Sequence, residues 1–262
     1  MMWNRFLAVV CLIGGMSLLT IGCGQADESS SSATSAAEPA TATDSVNTLT
    51  QAERDDGWRL LFDGQSMDQW RIYGADSMAD DWVVEDGTMH FTGAEDDAPD
   101  DIITTAEFED FEFRFEWKIS EGGNSGVMFH VSEEHQWPWQ SGPEYQILDN
   151  EGHPNGEDPL TSAGANYALH PPAEDVTKPA GAWNESRIVV NDGHVEHYLN
   201  GTKLLEYDRG SDAWTQKVNA TKFGDMPGYG QYETGHICLQ DHTDPVWFRD
   251  LKIRRLDASD RA

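Results

Sequence analysis

The stretch Phe111-Glu-Phe-Arg-Phe-Glu-Trp117 alternates large apolar residues with charged ones at a period of two. Successive side chains of a strand point to opposite faces of a sheet. The four aromatic residues therefore share one face, and the three charged residues share the other. The stretch predicts a β-strand that packs its aromatic face on an apolar core.

Similar short apolar or alternating runs recur on both sides of this stretch, separated by Gly, Asp, Asn and Pro. They span residues 58–62, 82–85, 88–92, 111–119, 126–131, 144–148, 183–190, 194–199, 236–240 and 246–254. Asn191-Asp-Gly193 and Asn200-Gly201 are typical of hairpin turns. No stretch sustains a 3.6-residue period over the length of a helix. Strands and turns this regular predict an all-β fold, a two-sheet β-sandwich or jelly roll.

The chain is strongly acidic. Its 262 residues include 17 Lys plus Arg and 47 Asp plus Glu, a formal net charge of −30. Residues 1–55 hold two of the basic and six of the acidic residues, so the rest of the chain carries −26. Such a domain repels nucleic-acid phosphates and anionic lipid headgroups, which excludes nucleic-acid partners. Nine of the ten Trp lie in the same part, which suits a surface that binds neutral, ring-shaped ligands such as sugars.

The N-terminus is typical of a bacterial secretory signal. Arg5 precedes an apolar run over residues 6–21 that is too short and wrongly flanked for a membrane-spanning helix. Leu-Leu-Thr-Ile-Gly-Cys resembles a lipobox, so residues 1–22 are predicted to be a lipoprotein-type signal peptide and Cys23 the lipidation site. The alternative is an ordinary signal peptide cut nearby. We expect an exported protein that meets the membrane only through its lipid, on the periplasmic side or at the cell surface.

Residues 23–55 are rich in Ser, Ala, Thr and acidic residues and poor in apolar ones, which predicts a disordered linker. The folded domain is predicted to span residues 56–257. Cys238 is its one cysteine, so the core must hold without an internal disulfide.

A series of motifs follows along the domain. They are Gly57-Trp-Arg-Leu-Leu-Phe-Asp-Gly-Gln-Ser-Met-Asp-Gln-Trp70, Asn124-Ser-Gly-Val-Met-Phe-His130, Gly142-Pro-Glu-Tyr-Gln-Ile-Leu-Asp149, Trp183-Asn184, His197-Tyr-Leu-Asn-Gly201 and Gly235-His-Ile-Cys-Leu-Gln-Asp-His242 with Phe248-Arg249. Together they resemble the 3-keto-disaccharide hydrolase domain family over essentially all of residues 56–256. The resemblance implies a concanavalin A-like jelly roll of two antiparallel sheets that cleaves glycosides already oxidised to a ketone at C3. His130 stands where the family often has Arg.

The implied chemistry sets what a site must contain. A ketone at C3 acidifies the hydrogen on C2, so a base can form an enolate that expels the C1 substituent, and water addition then gives net hydrolysis. The site needs that base, a stabiliser for the enolate oxygen and an acid for the leaving oxygen. No dinucleotide fingerprint is present, so a separate sugar 3-dehydrogenase is expected to supply the ketone. The sequence requires no cofactor, but clustered acids and His residues leave a divalent metal open.

The segment Pro143-Glu-Tyr-Gln-Ile-Leu-Asp149 alternates, which places Glu144 and Gln146 on one face. We predict Glu144 as a catalytic group and Gln146 as a substrate-binding residue. Asp149 is predicted to bind substrate too, if a β-bulge turns it the same way. Glycosidases on this sandwich carry Glu-x-Asp-x-x-Glu, and the replacement of two of these acids argues against a standard retaining pair. The alternative is an exposed strand face with ordinary polar residues.

Histidines supply further candidates. The segment His236-Ile-Cys-Leu-Gln-Asp-His242 ends a strand with two polar residues before the final His, which predicts His242 as a catalytic residue with Gln240 and Asp241 binding substrate. His197 is a second catalytic candidate, although a His on an apolar face is more often a core residue. His130 is predicted to contact substrate.

Three long connections, residues 132–143, 149–182 and 207–234, are typical of loops that build sites. Trp137 and Trp139 are predicted to be sugar platforms or loop anchors. Tyr167 is a candidate donor, and Lys222 is either a group that polarises the ketone or a solvated charge. The acidic pairs and triplet at residues 80–81, 95–97 and 100–101 are predicted to be solvated loops, with a structural Ca²⁺ as the alternative.

Three functions follow from these observations. The first is an exported enzyme that cleaves 3-keto-glycosides by abstraction of the C2 proton and elimination or net hydrolysis. The second is a non-catalytic, lectin-like carbohydrate-binding module, which needs aromatic platforms but no titrating base. The third is a conventional glycosidase, which Gln146 disfavours.

Overall fold

The computed structural model describes residues 46–93 and 100–257. The predicted signal peptide, Cys23 and the linker up to residue 45 lie outside the described residues, as does the acidic triplet at 95–97. In the described part, no helix has both the length and the apolar character needed to cross a membrane.

Strands dominate the described residues. They are β1 (Arg59–Leu60), β2 (Trp70–Ile72), β3 (Trp82–Glu85), β4 (Thr88–Phe91), β5 (Ile102–Thr104), β6 (Phe111–Ile119), β7 (Asn124–Val131), β8 (Glu144–Leu148), β9 (Asn184–Asn191), β10 (His194–Leu199), β11 (Thr202–Asp208), β12 (His236–Leu239) and β13 (Val246–Arg255). Two α-helices, α1 (Gln51–Asp55) and α2 (Asp212–Asn219), and three 3₁₀ turns, Pro138–Gln140, Pro154–Glu157 and Lys222–Asp225, complete the list. Each predicted strand is present, and three further strands, β2, β5 and β11, were not predicted from the sequence.

The strands form two antiparallel sheets. One has the order β11-β10-β9-β6-β13-β4-β3, with β1 also paired to β13, and the other has the order β2-β5-β12-β7-β8. The prediction of an all-β, concanavalin A-like jelly-roll sandwich is confirmed. The two predicted hairpin turns are present as well, with positive φ at Asp192 and Gly193 and at Asn200 and Gly201.

The core lies between the sheets and follows from alternation. Phe111, Phe113, Phe115 and Trp117 of β6 are all buried there, as predicted. From the second sheet, Tyr145 and Ile147 of β8 and Ile237 and Leu239 of β12 meet them. Each such side chain stabilises the fold by about 1.5–3 kcal/mol through burial.

The outer face of the five-stranded sheet is available for a site. Because Tyr145 and Ile147 point into the core, Glu144 and Gln146 project from the other side of β8. The free edge of β8 is covered by the loop that follows, since Gln146 N donates to Ala165 O (3.1 Å) and Tyr167 N donates to Glu144 O (3.0 Å). Strand and loop therefore deliver their side chains to one place.

The predicted linker extends too far into the folded part. Asn47 exchanges hydrogen bonds with Asp250, with Asn47 N to Asp250 Oδ1 at 2.9 Å and Asp250 N to Asn47 Oδ1 at 2.8 Å. Thr50 and Glu53 form a capping box at the start of α1, and Glu53 pairs with the buried Lys252 at 3.2 Å. Composition did not reveal this because α1 buries none of its own residues and is held by polar contacts distant in sequence.

Candidate active site

A cavity of about 270 Å³ lies on the outer face of the five-stranded sheet. We call it the Glu144 cavity; it is lined by Asp101, Asn124, Trp137, Trp139, Glu144, Gln146, His153, Asn155, Tyr167, Lys222, Phe223, Gln240, Asp241 and His242. Nine of the twelve residues predicted from the sequence to act on or bind a sugar meet here. They come from strand β8, from the segment that follows β12 and from three loops, and that convergence identifies this cavity as the candidate active site.

Glu144 is a buried acid of the cavity. Its side chain is 7% exposed and lies directly over Gly126 of the neighbouring β7, where any Cβ would overlap the carboxyl group. Burial raises the pKa of Glu144 to about 8, with a further rise from the charge of Asp101 and an opposing pull from Lys222. The carboxyl group therefore holds or exchanges a proton near neutral pH, as an acid–base catalyst must.

Two glutamine carbonyl groups face the same region without partners. Gln146 Nε2 donates to Asn124 Oδ1 at 3.1 Å, which leaves Gln146 Oε1 buried and unpaired among the described residues. Gln240 Oε1 is likewise buried and has no hydrogen-bond partner among the described residues. A buried acceptor without a donor costs about 1–3 kcal/mol, so both carbonyls are suited to accept from the hydroxyl groups of a sugar.

Lys222 brings positive charge to the cavity. It begins the 3₁₀ turn Lys222–Asp225, which Thr221 caps by accepting from Phe223 N at 3.2 Å. Its Nζ lies 5.3 Å from the ring centroid of Trp139, 5.1 Å from that of Tyr167 and 5.2 Å from that of Phe223. Aromatic faces attract a cation without neutralising it, so the ammonium group remains able to meet an oxyanion.

Asp101 is a site residue that sequence analysis assigned to a solvated loop. It is 5% exposed, and its Oδ1 accepts from Asp241 N at 2.9 Å. Burial is the main reason that the pKa of Asp101 rises to about 7. The hydrogen bond from Asp241 N–H lowers this pKa, whereas the charges of Asp241 and Asp100 raise it. A run of two acids in a loop gave no signal of this burial, because it depends on the pairing of β5 with β12.

Gln240, Asp241 and His242 follow β12 and line the cavity, with His242 exposed at the rim.

His153 is an additional lining residue that was not predicted from the sequence. Its Nδ1 accepts from Asn155 N at 3.0 Å, which places a proton on Nε2 of the ring. The His153-Pro-Asn155 turn inside a long loop was the available signal.

Trp137, Trp139 and Tyr167 form an aromatic wall of the cavity. Trp139 packs against both buried clusters and so anchors its loop, while its ring also contacts Lys222. Trp137 opens the 3₁₀ turn Pro138–Gln140, where its N–H donates to Gln140 Oε1 at 2.9 Å. The ring of Tyr167 also lies near Lys222 Nζ, and its backbone N–H donates to Glu144 O.

His197 was predicted to be catalytic, but the structure does not place it in the Glu144 cavity. The residue belongs to β10 of the other sheet and is fully buried, with its ring 4.8 Å from that of Tyr145 and 5.9 Å from that of Tyr207. Its Nδ1 contacts Gly164 O at 3.1 Å, and burial lowers its pKa to about 3. This neutral, buried ring matches the alternative given for His197 in the sequence analysis, a core histidine on an apolar strand face.

Two predicted binding residues also lie elsewhere. His130 is buried between Phe111 and Phe129, has Nε2 2.7 Å from Glu109 O, and has its pKa lowered to about 3 by burial. Asp149 turns back to accept from Gly122 N at 2.8 Å, which ties two loops together outside the Glu144 cavity. No bulge brings it beside Gln146, because the β7–β8 register is regular from Asn124 to Met128.

Comparison with known proteins agrees with this architecture. Residues 57–254 match the family described as the 3-keto-alpha-glucoside-1,2-lyase-like domain. A 3-keto-disaccharide hydrolase of Bacteroides thetaiotaomicron is 34% identical over 230 residues, which are 77% of this chain and 79% of that protein.

Two crystal structures of candidate glycosyl hydrolases from Parabacteroides distasonis have the same fold. One shares 35% identity and a TM-score of 0.76, over 81% of this chain and 100% of the other. The second shares 25% identity and a TM-score of 0.59, over 76% and 99% of the two chains. The matched region contains both sheets and every residue of the Glu144 cavity. On these grounds this chain belongs to the 3-keto-alpha-glucoside-1,2-lyase-like domain family.

Proposed function

We propose that this protein is a carbohydrate-active enzyme that cleaves 3-keto-glycosides, by removal of the C2 proton and loss of the C1 substituent, with or without later addition of water. Its similarity to a named 3-keto-disaccharide hydrolase supports the substrate class. The observation that carries the proposal is Glu144, a buried carboxyl group with a pKa near 8 in a cavity that also holds a cation.

Each requirement of the reaction has a candidate group in the cavity. The unpaired carbonyls of Gln146 and Gln240 accept from sugar hydroxyls and so orient the ring. The ammonium group of Lys222 lies where it can stabilise negative charge on the C3 oxygen, which exists only once the enolate forms. Glu144 exchanges the protons.

A conventional glycosidase fits less well. That mechanism pairs two carboxyl groups across the glycosidic bond and passes through an oxocarbenium-like state. On β8 the residue two positions after Glu144 is the amide Gln146, and Asp149 is engaged with a loop N–H. An enolate route needs no second carboxylate at those positions.

The direct test compares cleavage of matched oxidised and unoxidised sugars by the protein. Purified protein with 3-keto-trehalose or a methyl 3-keto-glucoside should release the alcohol or second sugar, with products identified by mass spectrometry and NMR. The unoxidised sugars should be recovered intact. Glu144→Gln should lose at least about 100-fold in turnover, whereas Glu174→Gln, which changes an exposed carboxylate, should behave as wild type.

Two results would contradict the proposal. Cleavage of an unoxidised aryl glucoside would favour a conventional glycosidase. Tight binding of sugars with every substrate recovered unchanged would favour a lectin-like module.

We further propose that the enzyme is exported and held to the cell envelope by lipid on Cys23, and that a separate sugar 3-dehydrogenase supplies its substrate. The signal-like residues 1–22 and the lipobox resemblance support the first point. In cells, full-length protein should sediment with membranes and dissolve in detergent. Cys23→Ala should move it to the soluble exported fraction, and unchanged membrane association of that variant would contradict lipid anchoring.

A further inference from the structure

We infer that Asp101 is the base that removes the C2 proton, and that Glu144 is the acid that protonates the departing C1 oxygen. The inference rests on the proposed function and divides its two proton transfers between two residues. Both carboxyl groups line the Glu144 cavity, and both are more than nine-tenths buried.

The sheet order places the two groups on opposite sides of the cavity. Asp101 immediately precedes β5 and Glu144 begins β8, and β12 and β7 lie between these strands. Strands in a sheet are about 4.8 Å apart, so the two backbones are separated by roughly 14 Å. Gln240, which follows β12, and Gly126 of β7 occupy the intervening positions, so the outer face of the sheet between the two carboxyl groups forms the floor on which a sugar ring would lie.

Asp101 is held for this role by its neighbours. Its Oδ1 accepts from Asp241 N at 2.9 Å, while Asp241 Oδ2 accepts from Asp100 N at 3.1 Å and Asp241 Oδ1 accepts from Thr243 N at 2.8 Å. These reciprocal bonds lock residues 100–101 to residues 241–243. They use only one oxygen of Asp101, so the other remains for a proton on the substrate.

The surroundings of Asp101 and Glu144 favour different protonation states for the two carboxyl groups. The Asp241 N–H stabilises the ionised form of Asp101, and burial still raises its pKa to about 7. Glu144 has its pKa raised to about 8, partly by the negative charge of Asp101 itself. When the two groups share a single proton, the hydrogen bond that Asp241 N–H donates to Asp101 Oδ1 favours the carboxylate at Asp101 and leaves the proton to Glu144, while burial makes the Asp101 carboxylate more basic.

The step balances without an oxidant or reductant. Asp101 takes the proton from C2, and the C–H electron pair forms the C2–C3 double bond of an enolate whose oxygen faces Lys222. Return of the electrons re-forms the C3 ketone and creates a C1–C2 double bond as the C1–O bond breaks. The leaving oxygen takes the proton of Glu144. Water then carries the proton from Asp101 back to Glu144.

Hydrogen exchange at C2 separates the two roles. Wild-type protein with a methyl 3-keto-glucoside in D₂O should incorporate deuterium at C2 and release methanol, both followed by NMR against an enzyme-free control. Asp101→Asn keeps an acceptor for Asp241 N–H but has no basic oxygen, so exchange and cleavage should both fall at least about 100-fold. Glu144→Gln should lose cleavage to a similar degree and retain exchange. Asp68→Asn, at an exposed acid, should match wild type.

The outcomes distinguish this inference from the function on which it rests. Wild-type protein that neither exchanges nor cleaves contradicts the proposed function. If the wild-type protein cleaves the substrate and Asp101→Asn exchanges the C2 hydrogen at the wild-type rate, only the assignment of Asp101 is contradicted. If thermal unfolding shows that Asp101→Asn is not folded, Asp101→Glu decides: its retained carboxylate should keep measurable exchange, and a folded Asp101→Glu that exchanges no faster than the enzyme-free control would overturn the role.

Discussion

The carboxyl group of Glu144 lies on the bare Cα of Gly126, on the adjacent strand of the five-stranded sheet. Met128 is the register partner of Glu144, and Gly126 is the partner of Gln146, so the side chain leans along the sheet towards the cavity floor. The lack of a side chain at 126 is what allows an acid to lie flat there. A glycine conserves space here, and backbone conformation does not demand it, because Gly126 has no positive φ.

Gly126→Ala should therefore impair chemistry more than folding. The new methyl group displaces the end of a flexible side chain, so we expect the carboxyl group to move by about 1 Å and turnover to fall roughly 10- to 100-fold. Steady-state kinetics with a 3-keto-glucoside measure this effect. In the double variant with Glu144→Gln, Gly126→Ala should add little, because the group it displaces no longer transfers protons. Additive losses would contradict the relationship.

Glu144→Gln should stabilise the protein at high pH. Burial raises the pKa of Glu144 from 4.5 to about 8 on folding. Between those values the folded protein holds a proton that the unfolded chain has released, so this group's contribution to the free energy of unfolding falls as pH rises. The variant should gain progressively over wild type from pH 5 upward, by roughly 1–4 kcal/mol at about pH 8.

Urea unfolding at several pH values measures that gain. Glu174→Gln serves as the matched control and should follow wild type throughout. A difference between Glu144→Gln and wild type that stays constant with pH would show that Glu144 does not titrate in this window.

Lys222→Met should lower kcat by about 100-fold while KM changes less, because the lost interaction forms with the enolate oxygen and not with the ground-state ketone. Since Lys222 lowers the pKa of Glu144, the alkaline limb of the rate profile should also move to higher pH. Lys222→Arg should retain part of the activity. Lys118→Met is a suitable control, because Lys118 also lies over aromatic rings but outside the Glu144 cavity. A loss confined to KM would instead assign Lys222 to substrate binding.

His197→Ala should affect stability and leave the chemistry intact. The ring is completely buried between Tyr145 and Tyr207, so its removal opens a cavity and should lower the free energy of unfolding by about 2–4 kcal/mol. Turnover per folded molecule should remain within about twofold of wild type. Loss of turnover with an unchanged melting temperature would instead support a catalytic role for His197.

Asn47→Ala should destabilise the domain although it lies in a segment with the composition of a linker. Its side chain accepts from Asp250 N and donates to Gly87 O at 2.8 Å, so two backbone groups lose a partner. We expect a loss of about 1–3 kcal/mol in chemical denaturation. Exposed Gln51→Ala, a few residues away, should cost much less.

Local pattern predicted the strands that carry the site better than the site itself. Glu144 and Gln146 were found because β8 alternates, and the same alternation placed Ile237 and Leu239 in the core. Asp101 was missed because β5 is only three residues long and its neighbours are acids typical of a loop. Its burial arises from pairing with β12, a strand more than 130 residues away, which no local pattern encodes.

The sequence by itself determined the sandwich, the hairpin turns and the identity of the polar groups offered by each strand. It did so because period-two alternation and turn residues act over a few positions. Only the tertiary structure decided which of those groups meet. Alternation assigns His197 and Gln146 equally to one of two faces, but β10 turns that face inward and β8 turns it outward. Sheet pairing and loop packing, which join residues far apart in the chain, made one a core residue and the other part of the candidate active site.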